Sequence, residues 1–78
     1  MYLYSKKVGL INLEYIKTVD IMSIPDLQGD KYHVVVERED DSKCYTLVSF
    51  DDKEKALAVI AGIANAMSIG ERIYKIEE

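Results

Sequence analysis

Only one stretch of this chain repeats its apolar residues at helical spacing, and that limits the fold more than any other feature. From Ala56 onward, Leu57, Ile60, Ile63, Ala64 and Met67 recur three and four residues apart, which places them along one face of a helix. Asp51 stands where it can cap free backbone amides, and Glu54, three residues later, can reach back as in a capping box. Asp51 and Asp52 also suit the positive end of the helix dipole. At the other end Gly70 can take the left-handed conformation that ends many helices. The spacing predicts a helix over about 52–68. One helix cannot bury its own apolar face, so the rest of the chain must supply a sheet.

That sheet is legible in pieces. Tyr32-His33-Val34-Val35-Val36-Glu37-Arg38 and Cys44-Tyr45-Thr46-Leu47-Val48-Ser49-Phe50 are rich in β-branched and aromatic residues and are joined by the polar stretch Glu39-Asp40-Asp41-Ser42-Lys43, which reads as a β-hairpin. Alternation assigns Tyr32, Val34 and Val36 to one face and His33, Val35 and Glu37 to the other, with Cys44, Thr46, Val48 and Phe50 as one set in the partner strand. Val35 and Leu47 make the second face partly apolar. A further strand is expected from Ile16 through Val19 and Ile21 to Ile24, ended by Pro25 and the turn formers Asp26, Gln28, Gly29 and Asp30. Met1 to Ser5 is expected as an edge strand, Asn12 as the cap of a single helical turn that redirects the chain, and Arg72 to Ile76 as a returning strand. The sum is an α+β domain, an antiparallel meander of about four to five strands with one helix packed across it, occupying residues 1–78 as a single domain.

Seventy-eight residues hide only roughly 60% of the surface that the unfolded chain exposes. Extra stabilisation is therefore to be looked for. Cys44 stands alone and cannot form an internal bridge, and with His33 as the single histidine the four ligands of a structural zinc site are missing. No cofactor or metal is expected. What remains is self-association, so a homo-oligomer is expected, with a protein or a small-molecule ligand as further possible partners. The charged start Met1-Tyr2-Leu3-Tyr4-Ser5-Lys6-Lys7 does not resemble a signal peptide, and no apolar run reaches the ~20 residues of a membrane span; a cytoplasmic location away from membranes is expected. A net charge of −4 with Lys6-Lys7 as the only adjacent basic pair argues against direct nucleic-acid binding.

No catalytic residues are assigned. Cys44 and His33 lie on neighbouring predicted strands, but alternation does not put them on a shared face, and the plainer reading is Cys44 in the core and His33 at the surface. Gly9, Gly29, Gly62 and Gly70 stand too far apart for a phosphate cradle. The acidic run Glu37, Glu39, Asp40, Asp41 lacks the glycine and ligand spacing of a calcium loop and reads as a solvated hairpin tip. Two features point to contact surfaces instead. Ala58, Gly62 and Ala66 form a line of small side chains on the helix, suited to close packing on the chain's own sheet or to an oligomer interface. Six tyrosines accompany a single Phe and no Trp; among them Tyr2, Tyr4, Tyr45 and Tyr74 are the candidates for ligand or partner binding, because tyrosine joins an apolar ring to a polar tip.

The segments Ile11-Asn12-Leu13-Glu14-Tyr15-Ile16 and Phe50-Asp51-Asp52-Lys53-Glu54-Lys55-Ala56 resemble those of short uncharacterised α+β proteins of Gram-positive bacteria and their phages. There an I-N-L-(D/E)-x-I stretch precedes a hairpin and an F-(D/S)-x-x-E-x-A stretch opens the only helix. The resemblance implies capping roles for Asn12 and Glu54 and carries no active site. The first segment is also similar to the V-N-L-D-x-I stretch of LytTR DNA-binding domains, whose surrounding basic residues are missing here. The expected function is thus a non-enzymatic binding or assembly module acting as a homo-oligomer. The alternatives are a phage counter-defence protein that sequesters a nucleotide signal or inhibits a host protein, and a small enzyme.

Overall fold

Short polar segments and a few backbone caps set the corners between strands. The computed structural model describes residues 1–76. In chain order these form β1 (Tyr2–Ser5), β2 (Gly9–Asn12), a single 3₁₀ turn (Leu13–Tyr15), β3 (Ile16–Asp26), β4 (Gly29–Arg38), β5 (Cys44–Phe50), α1 (Lys53–Ser68) and β6 (Ile73–Lys75). The architecture is α+β, with six strands in two three-stranded sheets of order β2-β1-β6 and β3-β4-β5. The larger sheet is the expected meander, β3 against β4 and β4 against β5, all antiparallel. In the smaller one β1 pairs antiparallel with β2 and parallel with β6.

Three local expectations are met, and each has a visible cause. Asn12 Oδ1 accepts the amide of Glu14 at 3.1 Å and so caps the 3₁₀ turn. Gly70, at φ +77°, closes the helix: its amide reaches the Met67 carbonyl at 3.2 Å and the Glu71 amide the Ala66 carbonyl at 3.0 Å, the paired bonds of a Schellman end. The five-residue polar stretch turns the β4–β5 hairpin, closed by Arg38 N–H to the Lys43 carbonyl at 2.9 Å.

Four expectations about the elements are corrected, and a fifth, for Cys44, follows from a bulge in β5. β1 is not an edge strand; it lies between β2 and β6, because the weakly patterned Gly9–Asn12 folds back on it and the chain end returns to its other side. β3 runs through Pro25 to Asp26; Pro25 is tolerated there since β3 is itself an edge and the missing donor disturbs no ladder. The helix cap is Asp52, whose carboxylate accepts the Glu54 amide at 2.9 Å, and not Asp51. Finally, the buried helix face is Ala56, Val59, Ile63 and Ala66, while Leu57 and Met67 are exposed. The helix starts one residue later than the Asp51 cap implied and turns its alanine and valine positions inward.

The core consists of Leu3, Val34, Val36, Leu47, Val48, Ala56, Val59, Ile63 and Ile76, with α1 packed against β3, β4, β5 and β6. A bulge decides which residues of β5 enter it. Val34 pairs with Val48 but Val35 pairs with Thr46, so Leu47 is the extra residue, and both Leu47 and Val48 are buried. Such an insertion reverses alternation beyond it. Cys44 and Thr46 therefore fall opposite Glu37 and Val35 on the outer face, and Cys44 is exposed where a core position was expected.

Candidate functional site

Exposure of the tyrosines follows from strand alternation. Register sets Tyr4 beside Leu10 of β2 and Lys75 of β6, and Tyr2 beside Asn12 and Ile73. These six side chains share the outer face of the small sheet. Its apolar members are open to solvent: Leu10 59%, Tyr4 39%, Tyr2 44% and Ile73 46%. Leu3 and Ser5, one position out of phase, are buried on the other face. Tyr2 and Tyr4 are thus brought together, whereas Tyr74 and Tyr45 go elsewhere.

Tyr74 turns inward over the helix. A side chain at Gly62 would overlap its phenol oxygen and meet its Cζ at 2.8 Å, so the absence of a Cβ is what lets β6 approach α1. With Ala66 buried, the line Ala58, Gly62, Ala66 is largely filled by the chain's own last strand, and of the three Ala58 alone is exposed.

Tyr45 enters a cleft of about 340 Å³ between the β2 edge and the end of the larger sheet. Ile11, Ile16 and Val36 supply apolar walls, and Asn12, Tyr15, Arg38 and Tyr45 supply the polar groups. The cleft is held in shape from outside it: the Tyr15 carbonyl accepts the Glu39 amide at 2.9 Å, and the Leu13 amide reaches the Met1 carbonyl at 2.9 Å. Arg38 is fixed by a two-pronged bond to Asp40, Nε to Oδ1 at 3.1 Å and Nη2 to Oδ2 at 2.8 Å. The Tyr45 phenol and then the Asp40 carboxylate push its pKa above the ordinary arginine value. Tyr15 and Arg38 were missed at the sequence level; no local pattern announces a cleft whose two walls lie in different sheets.

The polar groups of the large sheet's outer face do not form the Cys–His pair considered from sequence. His33 lies opposite Ser49 and Cys44 opposite Glu37, four positions apart along β4 and so roughly 13 Å. His33 Nδ1 instead shares a hydrogen bond with Ser49 Oγ at 2.6 Å, and Lys7 Nζ donates to the same oxygen at 3.5 Å. A hydroxyl beside an imidazole is half of a nucleophilic arrangement, which also requires an orienting group and oxyanion donors around a reacting atom. Among the described residues, neither His33 nor Ser49 lines any of the main clefts, and no three His, Cys, Asp or Glu side chains come together as a metal cage would need. No helix among them is long and apolar enough to cross a membrane. Comparison with protein-family models, with curated proteins and with solved structures finds no match to this chain.

Proposed function

We propose that this chain is a non-enzymatic binding module that assembles with copies of itself through the outer face of the small sheet. The observation that carries this reading is the in-register row of exposed Leu10, Tyr4, Tyr2 and Ile73 across three strands. One exposed apolar side chain is ordinary, but a contiguous patch ringed by polar groups is the mark of an interaction surface. Tyrosine suits such a face because its ring is buried on contact while its hydroxyl stays at the wet rim. Lys75 and Asn12 supply the polar rim here.

Light scattering tests the reading directly. At tens of micromolar, on the scale of moderate interface affinities, the expected mass is a multiple of the 8.9 kDa protomer. Replacing Tyr2 and Tyr4 together by Thr, which keeps strand preference but removes the rings, is expected to return the chain to monomer with an unchanged circular dichroism spectrum. A wild-type chain that stays monomeric over that range overturns the reading.

A further inference from the structure

The cleft between the β2 edge and the larger sheet differs from the small-sheet face in both shape and charge. Its volume of about 340 Å³ falls at the small end of the ~300–1,000 Å³ typical of ligand pockets, too little for a polymer and enough for one or two rings. Two tyrosines and five aliphatic residues line it, so a flat apolar body fits it better than an extended polar one.

The polar groups define the other half of the ligand. Among the described residues Arg38 is the only charged one on the cleft's walls, in a chain of net charge −4. A guanidinium has five N–H donors and no acceptor. Asp40 takes two of these, leaving the others unspent. Asn12 has its oxygen committed to the Glu14 amide, which leaves its NH₂ group as a second donor. The donors that Asp40 leaves over call for an acceptor. Because Asp40 already fixes the plane of the guanidinium, less side-chain freedom is lost when a ligand arrives.

We infer that this cleft binds a small flat ring compound carrying one anionic group, the ring against Tyr15 and Tyr45 and the anion on Arg38 and Asn12. The site adjoins the assembly face, and Leu10 and Asn12 border both, while Tyr2 and Tyr4 stand outside the cleft.

Titration followed by calorimetry and ¹⁵N NMR tests it, with adenosine 5′-monophosphate and indole-3-carboxylate as probes and adenosine and indole as their uncharged counterparts. At least one anionic probe is expected to bind and shift the amides of Tyr15, Arg38 and Tyr45, with its neutral counterpart about tenfold weaker or more, as loss of a charge-assisted hydrogen bond implies. Arg38→Gln should weaken the anionic probe by a similar factor and leave the neutral one unchanged. Should that variant unfold, Tyr15→Ala, at a residue 61% exposed, tests the ring contact of the same cleft and should weaken both anionic and neutral probes. The Tyr2, Tyr4 double Thr variant should bind as wild type, which separates this result from the oligomer reading. Failure of both anionic probes at millimolar concentration, shifts confined to another surface, or Arg38→Gln and Tyr15→Ala variants that bind as well as wild type would each overturn the inference.

Discussion

Ser5 is the residue at which the two sheets meet. Its hydroxyl, almost wholly buried, donates to the carbonyl of Leu47 on β5 and also accepts the Lys7 amide at 3.2 Å. Leu47 is the residue that the bulge leaves without a partner on β4, and Ser5 bonds its carbonyl from the other sheet. Ser5→Ala leaves that carbonyl buried without its partner, and a loss of about 1–3 kcal/mol is expected in urea unfolding. A loss below a few tenths of a kcal/mol would show that water takes the hydroxyl's place. At this scale the sequence was informative about caps and silent about exceptions. Asn12 and Gly70 could be read because a capping amide oxygen and a missing Cβ at positive φ act within a few residues. Nothing in Cys44-Tyr45-Thr46-Leu47-Val48 marks the bulge, whose extra residue meets Ser5, 42 positions away. The burial of Cys44 was therefore misjudged.

Among the elements, α1 and β6 are matched by the gap at Gly62. In isolation Gly62→Ala would favour the helix by ~1 kcal/mol, but the new methyl meets the Tyr74 ring, and overpacking of this kind costs about 1–3 kcal/mol. The net expectation is destabilisation, partly relieved when Tyr74→Phe is added, because the phenol oxygen is the nearest obstructing atom. A Gly62→Ala chain with raised Tm would refute the tight approach. The start of α1 is tied to β4 by the ion pair of Lys31 with Asp51. Hydrogen bonding to Lys31 holds the Asp51 carboxylate below its usual pKa, and the same bond raises Lys31. For a carboxyl lowered in the folded state, the stabilisation is present above the unfolded value near ~4 and is lost as pH falls through the lower folded value. Stability should therefore decline on the acid side of pH ~4, a slope that is shallow for so exposed a pair, weakened by salt, and reduced in Asp51→Asn when Tm is followed between pH 2 and 5. The helix and the β4–β5 hairpin were readable because each carries its own period and its own turn. The pairing partners of β1 were not, because four-residue strands carry too little pattern to name a neighbour.

For the molecule as a whole, the helix covers neither sheet's outer face, and the one on the small sheet carries the exposed tyrosines. The helix covers the β3-β4-β5 meander and the inward side of β6, and the small sheet's outer side remains open. If copies cover it, Tm rises with protein concentration, as linkage requires for any contact made only by the folded state, and the Tyr2, Tyr4 double Thr variant loses that dependence. The sequence reached the fold class because one helix among strands admits few layered arrangements. It did not reach the cleft, which exists only where β2 and the β4–β5 end are brought face to face. The parallel pairing of β1 with β6 has a further consequence during synthesis. The amide of Tyr2 waits for the carbonyl of Arg72, and the carbonyl of Tyr4 for the amide of Ile76. During synthesis β1 keeps one flank unmatched until β6, which follows the meander and the helix in chain order, has also emerged, so the meander and helix can consolidate early while the small sheet closes after them.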